Sequence, residues 1–192
     1  MRKIRESDVL DIAAYELARD AIRAKAIEAK EARRLAVGPL ITVLFENRTT
    51  LQYQLQEMMR VERIVRPEAI RDEMAVWNDM IPGDDELSLT LLIEITDLTR
   101  AKEKLHELRD IEEAVSLRFD GHQVAARFEE GWRDDNRISA VQFIRFALKD
   151  AERKAFFASD DVRFAIDHPA YRHEARIPRE MLVALREDLS SE

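Results

Sequence analysis

Polar side chains stand at several positions where a helix or strand would normally carry apolar residues, and these are the candidates for chemistry. In the stretch Val43–Arg63, a β-like run ends at a turn and leads into a helix. On a helical wheel, Glu62 falls near the centre of the face that contains Leu51 and Leu55, and Gln54 falls inside its edge. A buried carboxylate needs a partner because losing its hydration costs more than packing returns. We therefore expect Glu62 to meet an arginine, a backbone nest, a metal or a ligand.

The same wheel assigns the remaining residues of this helix to two faces. The predicted buried face consists of Leu51, Leu55, Met58, Met59, Val61 and Val65, and the predicted solvated face of Gln52, Gln56, Arg60 and Arg63. Asn47 or Thr49 is expected to cap the helix. Two interpretations of Glu62 stay open: a structural ion pair with an arginine of a neighbouring strand, or a functional group in a pocket.

Charged or strongly polar residues also recur on the predicted strands. These residues are Glu46, Glu94, Arg127, Glu129, Gln142 and Arg145. If they share one face, they form either a polar pocket beneath the helix or a solvated outer face with cross-strand ion pairs. Carboxylates in such a pocket could hold a divalent metal or act as acid–base groups. The candidate ligand-binding residues are therefore Glu46, Arg48, Gln54, Glu57, Glu62, Glu129 and Arg145.

Histidines offer a second route to a metal site. His168 and His173 lie five residues apart near Pro169, and Asp167 or Glu174 could complete a ligand set. A structural loop explains the same residues. The metal candidates from the sequence are thus Glu62 and His168.

Composition restricts the classes of function. The chain has 192 residues, a net charge of −8 and a pI near 5.2, which argues against general nucleic-acid binding. It contains no cysteine, so cysteine-ligated cofactors and disulfides are excluded within the chain. It has neither a signal-like segment nor a run of about 18 apolar residues, which predicts a cytoplasmic protein without a membrane span.

Hydrophobic periodicity predicts an α+β fold in a single domain spanning residues 1–192. A mainly antiparallel sheet of about five to six strands, with helices packed on it, is expected over residues 40–192. Residues 8–36 are expected to form an Ala-rich helical arm. The arm is basic, which fits either a docking site for an acidic partner or an ordinary solvated helix.

Four stretches resemble one bacterial family, a domain of unknown function designated 3501. They are LFENRTTLQYQLQEMMRVER (44–63), LSLTLLIEI (87–95), ARFEEGWRDDNRISAVQFIRF (126–146) and IDHPAYRHEA (166–175). The resemblance implies no established activity. Members are often encoded near rubrerythrin-like and iron–sulfur oxidoreductase proteins, which implies a redox protein as a partner. Within this pattern, His173 departs from the family whereas Asp167, His168 and Pro169 fit it, which weakens a two-histidine site.

Three functional hypotheses follow. The leading one is a non-enzymatic cytoplasmic accessory or ligand-binding protein linked to a rubrerythrin or iron–sulfur redox system. The second is an enzyme with a carboxylate-lined, metal-dependent pocket. The third is a structural protein that self-associates through the Ala-rich first helix.

Overall fold

The computed structural model describes residues 1–97, 99–129, 133–134 and 137–190. The helices are α1 (Ile12–Glu31), α2 (Arg48–Val61), α3 (Pro67–Met80), α4 (Ala101–Glu107), α5 (Asp150–Ala158) and α6 (Arg179–Ser190). The strands are β1 (Arg34–Val37), β2 (Ile41–Glu46), β3 (Glu86–Ile93), β4 (Val115–Phe119), β5 (His122–Ala125), β6 (Arg127–Phe128), β7 (Arg133–Asp134), β8 (Arg137–Ile138), β9 (Val141–Ala147), β10 (Arg163–His168) and β11 (Tyr171–Arg176).

The described strands form two larger antiparallel sheets and one short ribbon. The first sheet has the order β1-β2-β3-β9-β6, the second has the order β11-β10-β4-β5, and β7 pairs with β8. The predicted α+β class with antiparallel strands is confirmed. The strands divide between two sheets, whereas the sequence predicted one. The β4–β5 hairpin pairs with β10 in the second sheet, and β6, which follows β5, pairs with β9 in the first.

The main core lies between these two sheets and the C-terminal helix. Alternate residues of β2, β3 and β9 turn towards it, as the period of a strand requires. They pack with side chains of β4, β10 and α6 in one continuous cluster. The cluster includes Val43, Phe45, Leu89, Leu91, Ile144, Phe146, Leu117, Phe164, Ile166, Leu182 and Leu185. Residues of the opposite parity on the first sheet are therefore directed away from this core.

A second, smaller core joins α2 and α3. Leu51, Leu55 and Met59 of α2 pack with Met74 and Trp77 of α3. These three α2 positions confirm the centre of the predicted apolar face. The face does not extend to the end of the predicted pattern, because Val61 and Val65 are 61% and 67% exposed.

The N-terminal arm differs from its predicted extent. Helix α1 runs from Ile12 to Glu31, whereas the predicted helix continued to residue 36. Residues 34–37 instead form strand β1 and pair with β2 across a turn at Gly38. Only Tyr15 and Ala26 of α1 are buried, so the helix packs along the outside of the molecule. Within the described ranges, no helix combines the length and apolar character that crossing a membrane requires.

Candidate functional site

The junction between β2 and α2 is fixed by a reciprocal cap. Asn47 is the N-cap residue, and its side chain accepts a hydrogen bond of 3.1 Å from the Thr50 amide. The Thr50 hydroxyl accepts one of 3.0 Å from the Asn47 amide in return. Two amides at the start of the helix are thereby satisfied. The cap brings Thr50 beside Glu46, the last residue of β2.

Glu46, Ser88 and Arg145 form a row across three neighbouring strands. Glu46 of β2 lies opposite Ser88 of β3, and Ser88 lies opposite Arg145 of β9. Side chains in register on adjacent antiparallel strands point to the same face. All three are buried, with exposed fractions of 3%, 6% and 7%. Of the predicted strand residues, Glu46 and Arg145 therefore share a buried face.

Three other predicted strand residues do not join this row. Glu94 and Arg127 are exposed. Gln142 lies in register with Leu91 and therefore on the core side of the sheet. The common polar face is thus confirmed only in part.

The sequence predicted a buried, partnered carboxylate at Glu62. In the structure this carboxylate is Glu46. Its two oxygens accept hydrogen bonds from the Thr50 hydroxyl and, at 2.7 Å, from the Thr90 hydroxyl. Burial raises the pKa of Glu46, although both threonines and the charges of Lys30 and Arg33 favour the ionised form. The acid is thus held in a neutral polar cage, without a direct ion pair from the described residues.

Arg145 is held by acidic and backbone groups around its guanidinium. Its Nε donates to a Glu129 oxygen at 2.5 Å, and Nη1 lies 3.4 Å from a Glu86 oxygen. Nη2 donates to the Asp79 carbonyl and lies 3.5 Å from the Asp79 carboxylate. These contacts occupy all three nitrogens of the guanidinium. Glu129 and Arg145, both predicted candidates, therefore bind each other.

Between these groups lies a very small cavity. Its volume is about 10 Å³, and its lining includes Glu46, Ser88, Glu129 and Arg145. A cavity of this volume accommodates one water molecule and nothing larger. Three of the seven predicted residues thus meet at one place that a metabolite cannot enter.

The prediction that Glu62 is buried is wrong. Helix α2 ends at Val61, Glu62 is its exposed C-cap, and Arg63 adopts a left-handed φ of 52° that turns the chain away. The wheel failed because it continued the helix beyond its last turn. Gln54, predicted to point into the same pocket, is half-buried on α2, away from the cavity beside Glu46.

Glu57 connects α2 to α1. It accepts hydrogen bonds from the Tyr15 hydroxyl at 2.6 Å and from Arg19 Nε and Nη2 at 2.7 and 3.0 Å. Arg60 adds a contact of 3.3 Å. Hydrogen bonding from Arg19, followed by that from Tyr15, lowers the pKa of Glu57 to about 2. Glu57 is therefore ionised and fully engaged in holding the helix pair together.

The N-terminal segment is tied to α2 by side chains one helical turn apart. Gln56 bonds both to the Leu10 amide at 2.7 Å and to the Leu10 carbonyl at 3.1 Å, and Gln52 donates to the Asp8 carbonyl at 2.6 Å. Arg48 reaches the Asp8 carboxylate at 2.8 Å and Gln52 at 2.9 Å. Gln56 was predicted to be solvated and is instead buried. Its side-chain amide satisfies the backbone amide and carbonyl of Leu10, which would otherwise lack partners.

Above this segment, α1 and α2 border a groove of about 290 Å³, which we call the α1–α2 groove. Its lining includes Leu10, Ile22, Lys25, Thr49, Gln52 and Tyr53. The Lys30 ammonium lies 5.2 Å from the centre of the Tyr53 ring. Among the described residues, Lys25 has no hydrogen-bond or ion-pair partner. The groove therefore combines an available cation, an aromatic ring and polar groups.

His168 does not fit a metal site. Its Nε2 donates to the Arg109 carbonyl over 2.9 Å, and its Nδ1 accepts from the Ala170 amide at 3.2 Å. Both ring nitrogens are thus committed to the backbone, which leaves neither for a metal. In the parts of the chain that the structure describes, no three histidine or acidic side chains cluster as metal ligands would.

Comparison with known proteins gives a family but no activity. A family model described as "Protein of unknown function (DUF3501)" matches residues 3–189. The chain belongs to the DUF3501 family. A solved structure of a novel protein of unknown function from Burkholderia pseudomallei K96243 shares 31% identity with it and superimposes with a TM-score of 0.90. The match covers 97% of this chain and 99% of that one. No curated protein matches.

The DUF3501 motif with the strongest resemblance, residues 44–63, contributes to both sites. Its first residues supply Glu46 and the α2 cap, and its helix supplies one wall of the α1–α2 groove. Sequence reasoning missed Ser88, Lys25 and Tyr53. Ser88 was detectable in principle, because a serine in register with Glu46 follows once β2 and β3 are paired. Lys25 and Tyr53 lie on separate helices, and no local pattern relates them.

Proposed function

We propose that this DUF3501 member is a non-enzymatic cytoplasmic accessory protein that binds a small organic anion in the α1–α2 groove. The observation that carries the proposal is Lys25, a cation without a partner among the described residues, at a groove beside the Tyr53 ring. Ligand sites combine apolar walls with a few placed polar groups and start at about 300 Å³. The groove, at about 290 Å³, matches a small ligand.

The charge distribution favours an anion over a cation. Asp8 also lines the groove, but its carboxylate already accepts hydrogen bonds from the Arg5 amide and from Arg48 at 2.9 and 2.8 Å. The Arg5 amide and then the cations Arg48 and Arg2 lower the pKa of Asp8, so its charge is compensated. Lys25 has no such carboxylate partner among the described residues. A ligand carboxylate would form an ion pair with Lys25, and the apolar part of the same ligand would pack on Ile22 and Tyr53.

The engagement of the candidate acid–base groups supports binding over carboxylate catalysis. Glu57 is ionised and bound by Arg19 and Tyr15. Glu129 is bound by Arg145, and Glu46 lies at a cavity of about 10 Å³. A general acid or base must be within hydrogen-bond reach of its substrate. A small molecule can enter the open groove but cannot reach the buried row. These carboxylates are therefore poorly placed to act as acids or bases on a ligand in the groove.

Benzoate is a suitable probe because it carries one carboxylate on one ring, and benzamide has the same shape without the charge. We expect benzoate to shift amide NMR signals of α1 and α2 residues at the groove, and benzamide to bind more weakly. Lys25→Ala should weaken benzoate binding about fivefold, as roughly 1 kcal/mol for a partly screened ion pair implies. The matched control is Lys102→Ala on α4, another exposed lysine. Equal binding of benzoate to both variants would refute the proposal.

The redox partner and self-association stay predictions. The first depends on the gene neighbourhood of the family and is tested by co-purification with a rubrerythrin-like or iron–sulfur protein. The second concerns α1, where Leu17 is 92% exposed. Light scattering of the purified chain tests it, and a monomer at high concentration would exclude it.

A further inference from the structure

The hydroxyl of Ser88 lies in the buried row beside two ionisable neighbours, Glu46 and Arg145. Ser88 is 6% exposed, and its Oγ has no hydrogen-bond partner among the residues that the structure describes. A buried hydroxyl without a partner destabilises a fold by about 1–3 kcal/mol. Polar groups at such depth are usually satisfied by protein atoms or by an ordered water.

The surroundings of Ser88 supply what a water requires. The cavity of about 10 Å³ is bordered by Ser88 and by the ionisable side chains Glu46, Glu129 and Arg145. A buried water needs a cavity of about 10–15 Å³ and two to four polar partners. Each Glu46 oxygen accepts one threonine hydroxyl and retains a further lone pair. Both the volume and the number of partners therefore suit a single water.

We propose that the cavity is a built hydration site for one water molecule, bound between the Ser88 hydroxyl and the Glu46 carboxyl group. The Glu129–Arg145 pair supplies the third partner from the side of β9. The water satisfies Ser88 and gives the buried acid a further hydrogen bond. Its role is structural, like that of the two threonines that donate hydrogen bonds to Glu46. This proposal does not depend on ligand binding in the α1–α2 groove.

The alternative is a dry cavity, since Met80, Leu89 and Phe143 also line it. Apolar cavities of small volume stay empty. The two states predict opposite effects of removing the hydroxyl. In a dry cavity, Ser88→Ala removes an unsatisfied polar atom and raises the melting temperature. In a hydrated cavity, the same change removes a ligand of the water and lowers it.

Ser116 provides a matched control. It is a serine on β4 that is 3% exposed, its Oγ has no partner among the described residues, and it is not part of the cavity lining. We expect Ser88→Ala to lower the melting temperature by several degrees and Ser116→Ala to leave it unchanged or higher. A melting temperature of Ser88→Ala that equals or exceeds that of the wild type would overturn the proposal.

Oxygen-17 relaxation dispersion counts long-lived internal waters directly. We expect the dispersion amplitude of Ser88→Ala to fall by the equivalent of one water relative to the wild type, and that of Ser116→Ala to stay unchanged. If the wild type and Ser88→Ala give the same amplitude, the cavity does not hold the water.

Discussion

The Tyr171 hydroxyl donates a hydrogen bond of 2.6 Å to the Val37 carbonyl and thereby joins the outer strands of the two sheets. The same oxygen accepts hydrogen bonds from the Leu40 and Ile41 amides at 3.0 and 3.2 Å. Both ends of the β1–β2 turn are thus held by one side chain of β11. Burial raises the pKa of Tyr171, so the phenol stays protonated and continues to donate.

Removing this hydroxyl should destabilise the protein without changing its core packing. Tyr171→Phe leaves the Val37 carbonyl and two amides without their side-chain partner at a buried position. We expect a loss of about 1–3 kcal/mol in the free energy of unfolding. Urea denaturation followed by circular dichroism measures it.

The control for this substitution is Tyr53→Phe, which removes the same atom from a half-buried tyrosine on α2. Its effect should remain within about 0.5 kcal/mol. Equal losses for the two variants would mean that the Tyr171 hydrogen bonds contribute nothing specific.

Glu57 should make the attachment of α1 depend on pH at the acidic end. Its folded-state pKa of about 2 lies below the usual value because Arg19, Tyr15 and Arg60 bind the ionised form. The stabilisation is therefore present above the unfolded-state pKa of about 4.3 and is lost as the pH falls towards 2. Since Glu57 is partly exposed, Glu57→Gln should cost about 1 kcal/mol at pH 7, and the cost should disappear near pH 2.

Unfolding experiments in urea between pH 2 and 7 measure this difference. The control is Glu16→Gln, because Glu16 is a half-exposed α1 carboxylate that lies 3.6 Å from Arg60. Its effect should stay below about 0.5 kcal/mol throughout. A constant cost of Glu57→Gln from pH 7 to pH 2 would contradict the role of the charge.

Glu46 should make the stability of the protein depend on pH in the opposite direction from Glu57. Burial raises its folded-state pKa above the unfolded value, so its contribution to stability is full below the unfolded pKa and is lost as the pH rises through the folded pKa. Glu46→Gln mimics the protonated acid, and the Thr50 hydroxyl can turn to the Asn47 carbonyl 3.0 Å away. We expect the variant to gain stability relative to the wild type as the pH rises from 4 to 8.

Thermal unfolding across this pH range checks the expectation. Glu62→Gln is the control, because this carboxylate is exposed at the end of α2. It should change the free energy of unfolding by less than about 0.5 kcal/mol at each pH. A stability difference between Glu46→Gln and the wild type that stays constant from pH 4 to pH 8, or that shifts further in favour of the wild type, would contradict the raised pKa of the buried acid.

Local patterns in the sequence determined much of the architecture. Period-2 alternation identified β2 and β3, and the Asp120–Gly121 pair identified the β4–β5 hairpin, where both residues have a positive φ. Strand β1 was missed because the predicted helical pattern was extended to residue 36, whereas pairing with β2 decides the conformation of residues 34–37.

The site was predictable only where one element determined it. Glu46 was identified as an unusual strand residue, but its partner Thr90 comes from a neighbouring strand and Thr50 from the following helix. Glu62 was placed in the core because periodicity does not state where a helix ends. The α1–α2 groove required the packing of two helices, and no window of sequence contains that information.

Gly38 tests how tightly the sheets are joined at Tyr171. It has a φ of +73°, and an added Cβ would lie 2.5 Å from His173 Cγ and 2.6 Å from the Tyr171 hydroxyl oxygen. Gly38→Ala therefore combines backbone strain with a clash against two ring side chains of β11. We expect a loss of about 2–5 kcal/mol, from a left-handed conformation and overpacking together.

Gly121→Ala separates the two contributions. Gly121 has a similar φ of +77°, but nothing lies within 4 Å of its added Cβ. This variant should lose only the backbone part, about 1–2 kcal/mol. The difference between the two free energies of unfolding, measured in urea, then gives the cost of forcing β11 away from the β1–β2 turn. Equal losses would mean that His173 and Tyr171 move aside freely, and that the contact between the outer strands is loose.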